Sequence, residues 1–191
     1  SERYVPYADR KPREILTLAN AVLGFGQLSL AKYLFIAARE DDPGLDIRNP
    51  GAFFRHVLER ADWNENLHFQ TRTTMDTLDY SGTSLNEGSK VVIAVAGSRR
   101  RELAGEVPSE LEQSLPPGFS SARAALPGVL AVTAPPWRDA VSARVAIASL
   151  ASAWEGRFPA PESDAANPLR GFPLVVLCED SAFAGANPGN L

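Results

Sequence analysis

Residues 70–76, Gln-Thr-Arg-Thr-Thr-Met-Asp, hold the densest group of side chains able to recognise a ligand. Thr71, Thr73 and Thr74 offer hydroxyls and Gln70 an amide. Arg72 offers a planar guanidinium that can grip a carboxylate through two parallel hydrogen bonds. The segment follows a run, 67–70, that reads as a strand, and open α/β sheets bind ligands beyond the carboxyl ends of their strands. Thr71, Arg72 and Thr73 are therefore ligand-binding candidates. Residue types alone rather favour a plainer turn, in which Arg72 pairs with Asp76 on the surface.

Other groups are weaker. Glu40, Asp41, Asp42 and Asp46 carry the oxygen donors that Mg²⁺ or Ca²⁺ prefers, but their spacing fits no calcium loop. Pro43-Gly44 among them supports a solvated turn held by local hydrogen bonds. His56 and His68 are the only histidines, so a zinc site would need carboxylates or the single Cys178 as well. His56, beside Arg55 in a helical stretch, reads as a partly exposed polar residue. Cys178 ends the apolar run Leu-Val-Val-Leu-Cys and reads as a small hydrophobe rather than a reactive thiol. Ser81, His68 and Asp76 can be written as a nucleophilic triad, yet no nucleophile-elbow pattern accompanies them. Residues 82–90 end in Gly-Ser-Lys ahead of a strand, whereas a phosphate loop needs Gly-Lys-Ser after a strand and at a helix start. Gly24 and Gly26 follow a helix and read as its stop, not as a dinucleotide fingerprint.

Short apolar runs and amphipathic stretches position these groups. Residues 12–23 predict a helix: Pro12 suits the first turn, Ile15, Leu16, Ala19, Val22 and Leu23 form one stripe, and Gly24 suits the stop. Residues 33–38 are nearly all apolar and of strand length, which implies burial on both faces. Asn49 caps a second helix with Pro50 at its first position, and Phe53, Phe54, Val57, Leu58 and Ala61 line one side. Residues 67–70 and 91–96 read as strands. Ser109 and Glu112 predict a capping box for a short helix before Pro116-Pro117-Gly118. Residues 129–134 form a strand ended by Pro135-Pro136, residues 141–154 an Ala-rich helix, 156–171 a loop, and 174–178 the last strand. This alternation predicts one α/β domain with a mixed, mostly buried sheet of about five strands and helices on both faces.

Composition narrows the function classes. The chain has 191 residues, 45% hydrophobic and 22% charged, and a chain of this size buries roughly 70% of its unfolded surface, enough for a core without disulfides. The net charge of −4, with Arg99–Arg101 the only basic run, argues against nucleic acid as the main partner. Lys32 interrupts the best apolar stretch, so no membrane-spanning helix is expected. The one cysteine excludes an intramolecular disulfide, and no signal peptide is visible. A cytoplasmic location is the expectation.

Taken in order, residues 30–97 resemble the C-terminal half of the UbiD-type (3-polyprenyl-4-hydroxybenzoate decarboxylase-like) decarboxylases. Lys32 and the run 33–38 look like that family's Lys-led first strand, and residues 40–47 like its acidic turn, interrupted here by Pro43-Gly44. Thr71-Arg72 looks like its Thr-Arg pair, which leads toward the substrate side. Ser89-Lys90-Val91-Val92-Ile93 looks like its second Lys-led strand, although Ala94-Val95-Ala96 stands where the family usually has Asp-Ala-Thr. The resemblance implies a C-terminal domain spanning 30–191, preceded by a linker and helix at 1–29 and truncated at its C-terminal end. It also implies a parent enzyme that decarboxylates aromatic or α,β-unsaturated acids reversibly with prenylated FMN, Mn²⁺ and K⁺. The implied partners are the missing flavin-binding domain of the same chain and further copies in a homo-oligomer. The family's catalytic residues and metal ligands lie in the flavin-binding part, so no catalytic, cofactor-binding or metal-binding residue is assigned in this chain. Thr71, Arg72 and Thr73 become substrate-side candidates. The rival expectation is a non-catalytic α/β module for oligomerisation or interaction.

Overall fold

The computed structural model describes residues 12–79, 84–159 and 166–182, with side chains from Ile15 onward. Ser81, Gly82, residues 1–11 and residues 187–189 lie outside these residues. The chain divides into two compact units, Ser1–Arg100 and Arg101–Leu191.

In the first unit, helix α1 (Pro12–Leu23) precedes strand β1 (Tyr33–Ala37), helix α2 (Pro50–Arg60) and the strands β2 (Leu67–Thr74) and β3 (Glu87–Val95). The sheet order is β1-β3-β2. β1 runs parallel to β3 with Phe35 opposite Ile93, and β2 runs antiparallel to it with Phe69 opposite Val91. β3 is central, so its side chains are covered on both faces. Val92 and Ala94 pack under Ile15, Ala19 and Leu23 of α1, while Ile93 and Val95 pack under Val57 and Ala61 at α2. Each Val, Leu or Ile among them contributes about 1.5–3 kcal/mol by leaving water. α2 starts as expected: the Asn49 side chain accepts from the Ala52 amide at 3.0 Å, and Pro50 occupies the first turn. Residues 1–29 thus include a helix whose apolar stripe belongs to this core.

The second unit contains helix α3 (Ser109–Gln113), strands β4 (Ser120–Leu126) and β5 (Val129–Thr133), helix α4 (Ala140–Arg157) and strand β6 (Leu174–Cys178). β4 and β5 form a hairpin closed at Pro127-Gly128, where Gly128 takes φ 84°. α4 crosses from β5 to β6, which pair in parallel with Leu130 opposite Val175. Leu111, Phe119, Leu130, Val132, Leu150, Trp154 and Phe172 form the core, and Trp154 Nε1 donates to Ser114 Oγ at 2.9 Å.

Three sequence expectations are corrected. The expected single sheet of about five strands is two mixed three-stranded sheets with six strands. Each central strand, β3 and β5, has both edges taken by neighbours from its own unit. β4 was not foreseen because Ser-Ser-Ala-Arg-Ala-Ala-Leu is poor in β-branched and aromatic residues; its pairing to β5 supplies what its propensity does not. The Ser109–Glu112 capping box does not form. Pro108 takes the extended cap position at φ −60°, ψ 139°, so Ser109 becomes the first helical residue. The box occurs instead on α4, where Asp139 Oδ1 accepts from the Ser142 amide at 2.7 Å and Ser142 Oγ faces the Asp139 amide at 3.3 Å.

Candidate functional site at one end of the first sheet

The Thr-Arg segment lies inside β2, not in a loop beyond it. Gln70 pairs with Lys90 and Thr73 with Gly88, so Thr71 and Arg72 together oppose the single residue Ser89. This is a β-bulge, and Arg72 absorbs it at φ 52°. A left-handed conformation costs a non-glycine residue about 1–2 kcal/mol, strain of the kind that collects at binding sites. Thr71 and Arg72 are exposed and Thr73 is half-buried. The Arg72–Asp76 surface pair does not form: Asp76 Oδ1 accepts from the Leu78 amide at 2.9 Å, and Arg72 makes no ion pair with a described residue.

Two lysines reach the same end of the sheet. Lys90 is buried, its Nζ donates to the Ser29 carbonyl, and burial lowers its pKa. The Val91 amide donates to the Lys32 carbonyl at 3.0 Å, which sets Lys32 beside Lys90 at the entry to β1. Lys32 Nζ contacts Asp79 at 3.1 Å and lies 5.9 Å from the Tyr33 ring centre. Three motif residues far apart in sequence, Lys32, Arg72 and Lys90, therefore share one end of the β1-β3-β2 sheet. Of the three, Lys90 is buried on the Ser29 carbonyl and Lys32 is paired with Asp79, so the exposed guanidinium of Arg72, beside the Thr71 hydroxyl, is the group at this end suited to an anionic ligand such as a carboxylate. Because β2 runs antiparallel to its neighbour, this is the amino end of β1 and β3, contrary to the strand-end position argued from sequence.

The carboxyl ends of β1 and β3 hold a different arrangement, which the sequence reading missed. Glu59 on α2 is buried and meets three guanidinium groups: Arg55 at 3.2 Å, Arg60 at 3.5 Å and Arg99 at 3.0 Å. Arg60 also donates to the carbonyls of His56 at 3.0 Å and Gly97 at 3.1 Å, tying the helix to the loop after β3. His56 is buried rather than partly exposed, at 4% accessibility, and its Nε2 has no hydrogen-bond partner among the described residues. Burial lowers its pKa, assisted by Arg60 and opposed by Asp42, Asp41 and Glu59. The spacing of His56 and Arg60, one helical turn apart, was the available signal that a polar row continues along this helix. The acidic turn behaves as expected: Asp42 and Asp46 accept from the amides of Gly44 and Arg48 at 3.1 and 2.9 Å, and Asp41 accepts from Gly97 at 2.7 Å.

The donor set does not suit prenylated FMN with its divalent metal. Among the described residues no group of three or more His, Cys, Asp or Glu side chains could hold a metal ion. Gly88 lies within β3, where a Cβ would come within 2.7 Å of Met75 Cγ, so it leaves no room for a phosphate. Cys178 is half-buried, its Sγ lies 3.6 Å from the Val132 carbonyl, and burial raises its pKa. That thiol is not poised as a nucleophile. No described helix is long and apolar enough to cross a membrane.

The first unit is an α/β layer with helices on both faces of a mixed sheet and a cationic, hydroxyl-bearing sheet end. Residues 3–95 match the family model described as 3-octaprenyl-4-hydroxybenzoate carboxy-lyase C-terminal domain. Over that segment the chain is similar to the UbiD C-terminal domain family. A Chlamydia trachomatis protein of unassigned function is 38% identical over 95 residues, and so is a Chlamydia pneumoniae protein named as a subunit of 4-hydroxybenzoate decarboxylase. Each match covers 50% of this chain and 16% of the relative, so the chain aligns with only a small part of those proteins. The buried Ala94 and Val95 sit where the resemblance expected a polar strand end, pressed between α1 and α2.

Proposed function

We propose that this chain is the C-terminal part of a prenylated-FMN-dependent, UbiD-like decarboxylase that acts reversibly on aromatic or α,β-unsaturated carboxylic acids. The gathering of Lys32, Thr71-Arg72 and Lys90 at one sheet end, within the segment that matches the family, carries this reading. In this reading the flavin, Mn²⁺ and K⁺ belong to a flavin-binding domain elsewhere in the parent protein, and the first unit closes over that site. Thr71, Arg72 and Thr73 face the substrate side, with Arg72 holding a carboxylate. The chain alone has no group able to accept the electron pair that decarboxylation leaves on carbon, so it is catalytically silent by itself.

The test is Arg72→Ala in the full-length parent. A lost charge-assisted hydrogen bond, worth about 1.5–3 kcal/mol, predicts turnover reduced roughly 10- to 100-fold. Stability should move by no more than about 0.5 kcal/mol. Unchanged turnover removes these residues from the substrate side.

The second reading, a non-catalytic oligomerisation module, draws on the second unit. It lies beyond the matched residues and presents an exposed apolar helix.

A further inference from the structure

We infer that the cavity at the carboxyl ends of β5 and β6 binds a small planar aromatic acid, with Arg138 on its carboxylate and Glu179 on a ring hydrogen-bond donor. The two strands run parallel and are joined through α4. Open α/β sheets take ligands in the cleft beyond the carboxyl ends of such strands. The Ala134 amide donates to the Cys178 carbonyl at 2.9 Å, so both strands stop at this cleft. Every lining residue falls between Pro117 and Glu179, within the second unit. The inference does not depend on the decarboxylase reading, because the family match ends at residue 95.

The sequence of α4 explains why the cavity exists. Ala143, Ala146, Leu150 and Trp154 follow the 3-4-4 spacing of one helical face. Towards the helix end that face carries Leu150 and Trp154, which are buried in the core. Towards its start it carries only the methyl groups of Ala143 and Ala146, and the gap opens there. Its volume is about 600 Å³, inside the roughly 300–1,000 Å³ range of pockets that hold small molecules. That is more than a lone ring fills, and it admits a fused pair of rings. Phe119 is buried in the wall, and Trp137, 68% exposed, stands at the mouth beside Pro135 and Pro136. Rigid rings on both levels favour a flat occupant that stacks on them.

Charge narrows the occupant further. Arg138 and Glu179 are the charged residues of the lining. Both are exposed, and neither forms an ion pair with a described residue, the other included. A guanidinium in that state can take a carboxylate through two parallel hydrogen bonds. Glu179 repels a second anionic group and accepts from a ring N–H or hydroxyl. Its position is fixed from behind by the buried Ser181, whose amide donates to Thr133 Oγ1 at 2.9 Å and whose Oγ donates to the Ser121 carbonyl at 3.1 Å. A flexible aliphatic acid would satisfy Arg138 but not Glu179, and it would lose more conformational freedom on entering.

The probe is indole-3-acetate, titrated calorimetrically into the 191-residue chain. Cys178 lines the cavity and is the single cysteine, so its alkylation by N-ethylmaleimide at about pH 8.5 reports occupancy independently. Probe at about ten times its Kd should slow alkylation roughly tenfold. Arg138→Gln should weaken binding at least about tenfold. Arg144→Gln, an exposed change on α4 outside the lining, should leave it unaltered. 3-Methylindole, which lacks the carboxylate, should bind about tenfold more weakly and be indifferent to Arg138→Gln. The altered side chains are exposed, and thermal melting checks that each variant is folded. Neither heat nor protection at about 1 mM probe overturns the inference, and so does binding that Arg138→Gln leaves intact or Arg144→Gln weakens equally. Octanoate bound as tightly as indole-3-acetate overturns the aromatic assignment.

Discussion

Arg72 combines two properties that a mutation can separate: a strained backbone at φ 52° and an exposed guanidinium. Arg72→Ala keeps the strain and removes the charge, while Arg72→Gly removes both, since glycine adopts positive φ freely. In the parent enzyme both variants should lose turnover to a similar degree, with Arg72→Gly the more stable of the two by about 1 kcal/mol. Turnover retained in Arg72→Gly would assign the effect to backbone geometry. His56 makes a second prediction at this scale. Its folded pKa lies below 6.5, so well above pH 6.5 it is neutral in both states and contributes no pH dependence. As the pH falls from 6.5 through the lower folded value, the unfolded chain takes the proton first and stability is lost. Melting temperatures measured from pH 7.5 to 5 should therefore fall less steeply in His56→Leu than in the unaltered chain. Equal slopes would mean that Asp41, Asp42 and Glu59 offset the burial of His56.

Among the elements, the β2–β3 ribbon depends on one close approach. A Cβ at Gly88 would sit 2.7 Å from Cγ of the buried Met75. Gly88→Ala should therefore destabilise the chain by about 1–3 kcal/mol in urea unfolding, as overpacking does. Adding Met75→Ala should recover part of the loss, whereas strictly additive effects would show that the two sites do not share space. The elements also show what the sequence made legible. The α1 stripe, the Asn49-Pro50 start of α2, and β1, β3, β5 and β6 follow from periodicity and capping, and all appear within a few residues of expectation. Pairing does not follow from periodicity. Nothing in the apolar runs says that β3 and β5 each complete their own sheet, or that β2 continues through Arg72 by a bulge. The same limit affects the site. Lys32, Thr71-Arg72 and Lys90 stood out by type and order, but which sheet end they share depends on β2 being antiparallel to β3. His56 was misjudged because its polar type outweighed its place on the buried side of α2, and Glu59 and Arg60 went unnoticed for the same reason.

In the molecule as a whole, two features separate along the chain. The first unit carries the family match and the cationic sheet end; the second carries the exposed apolar residues of α4. Neither unit, among its described residues, holds a metal-ligand group, and neither glycine-bearing segment has the context of a phosphate cradle. The central claim is that the chemistry belongs to the rest of the parent protein. The measurement that tests it most directly is prenylated-FMN retention. The 191-residue chain and the full-length parent are each incubated with prenylated FMN, Mn²⁺ and K⁺ and passed through gel filtration while flavin absorbance is followed. The parent should elute with flavin in stoichiometric amount and this chain with none. Flavin retained stoichiometrically by the chain alone, or absent from the parent, would contradict that claim.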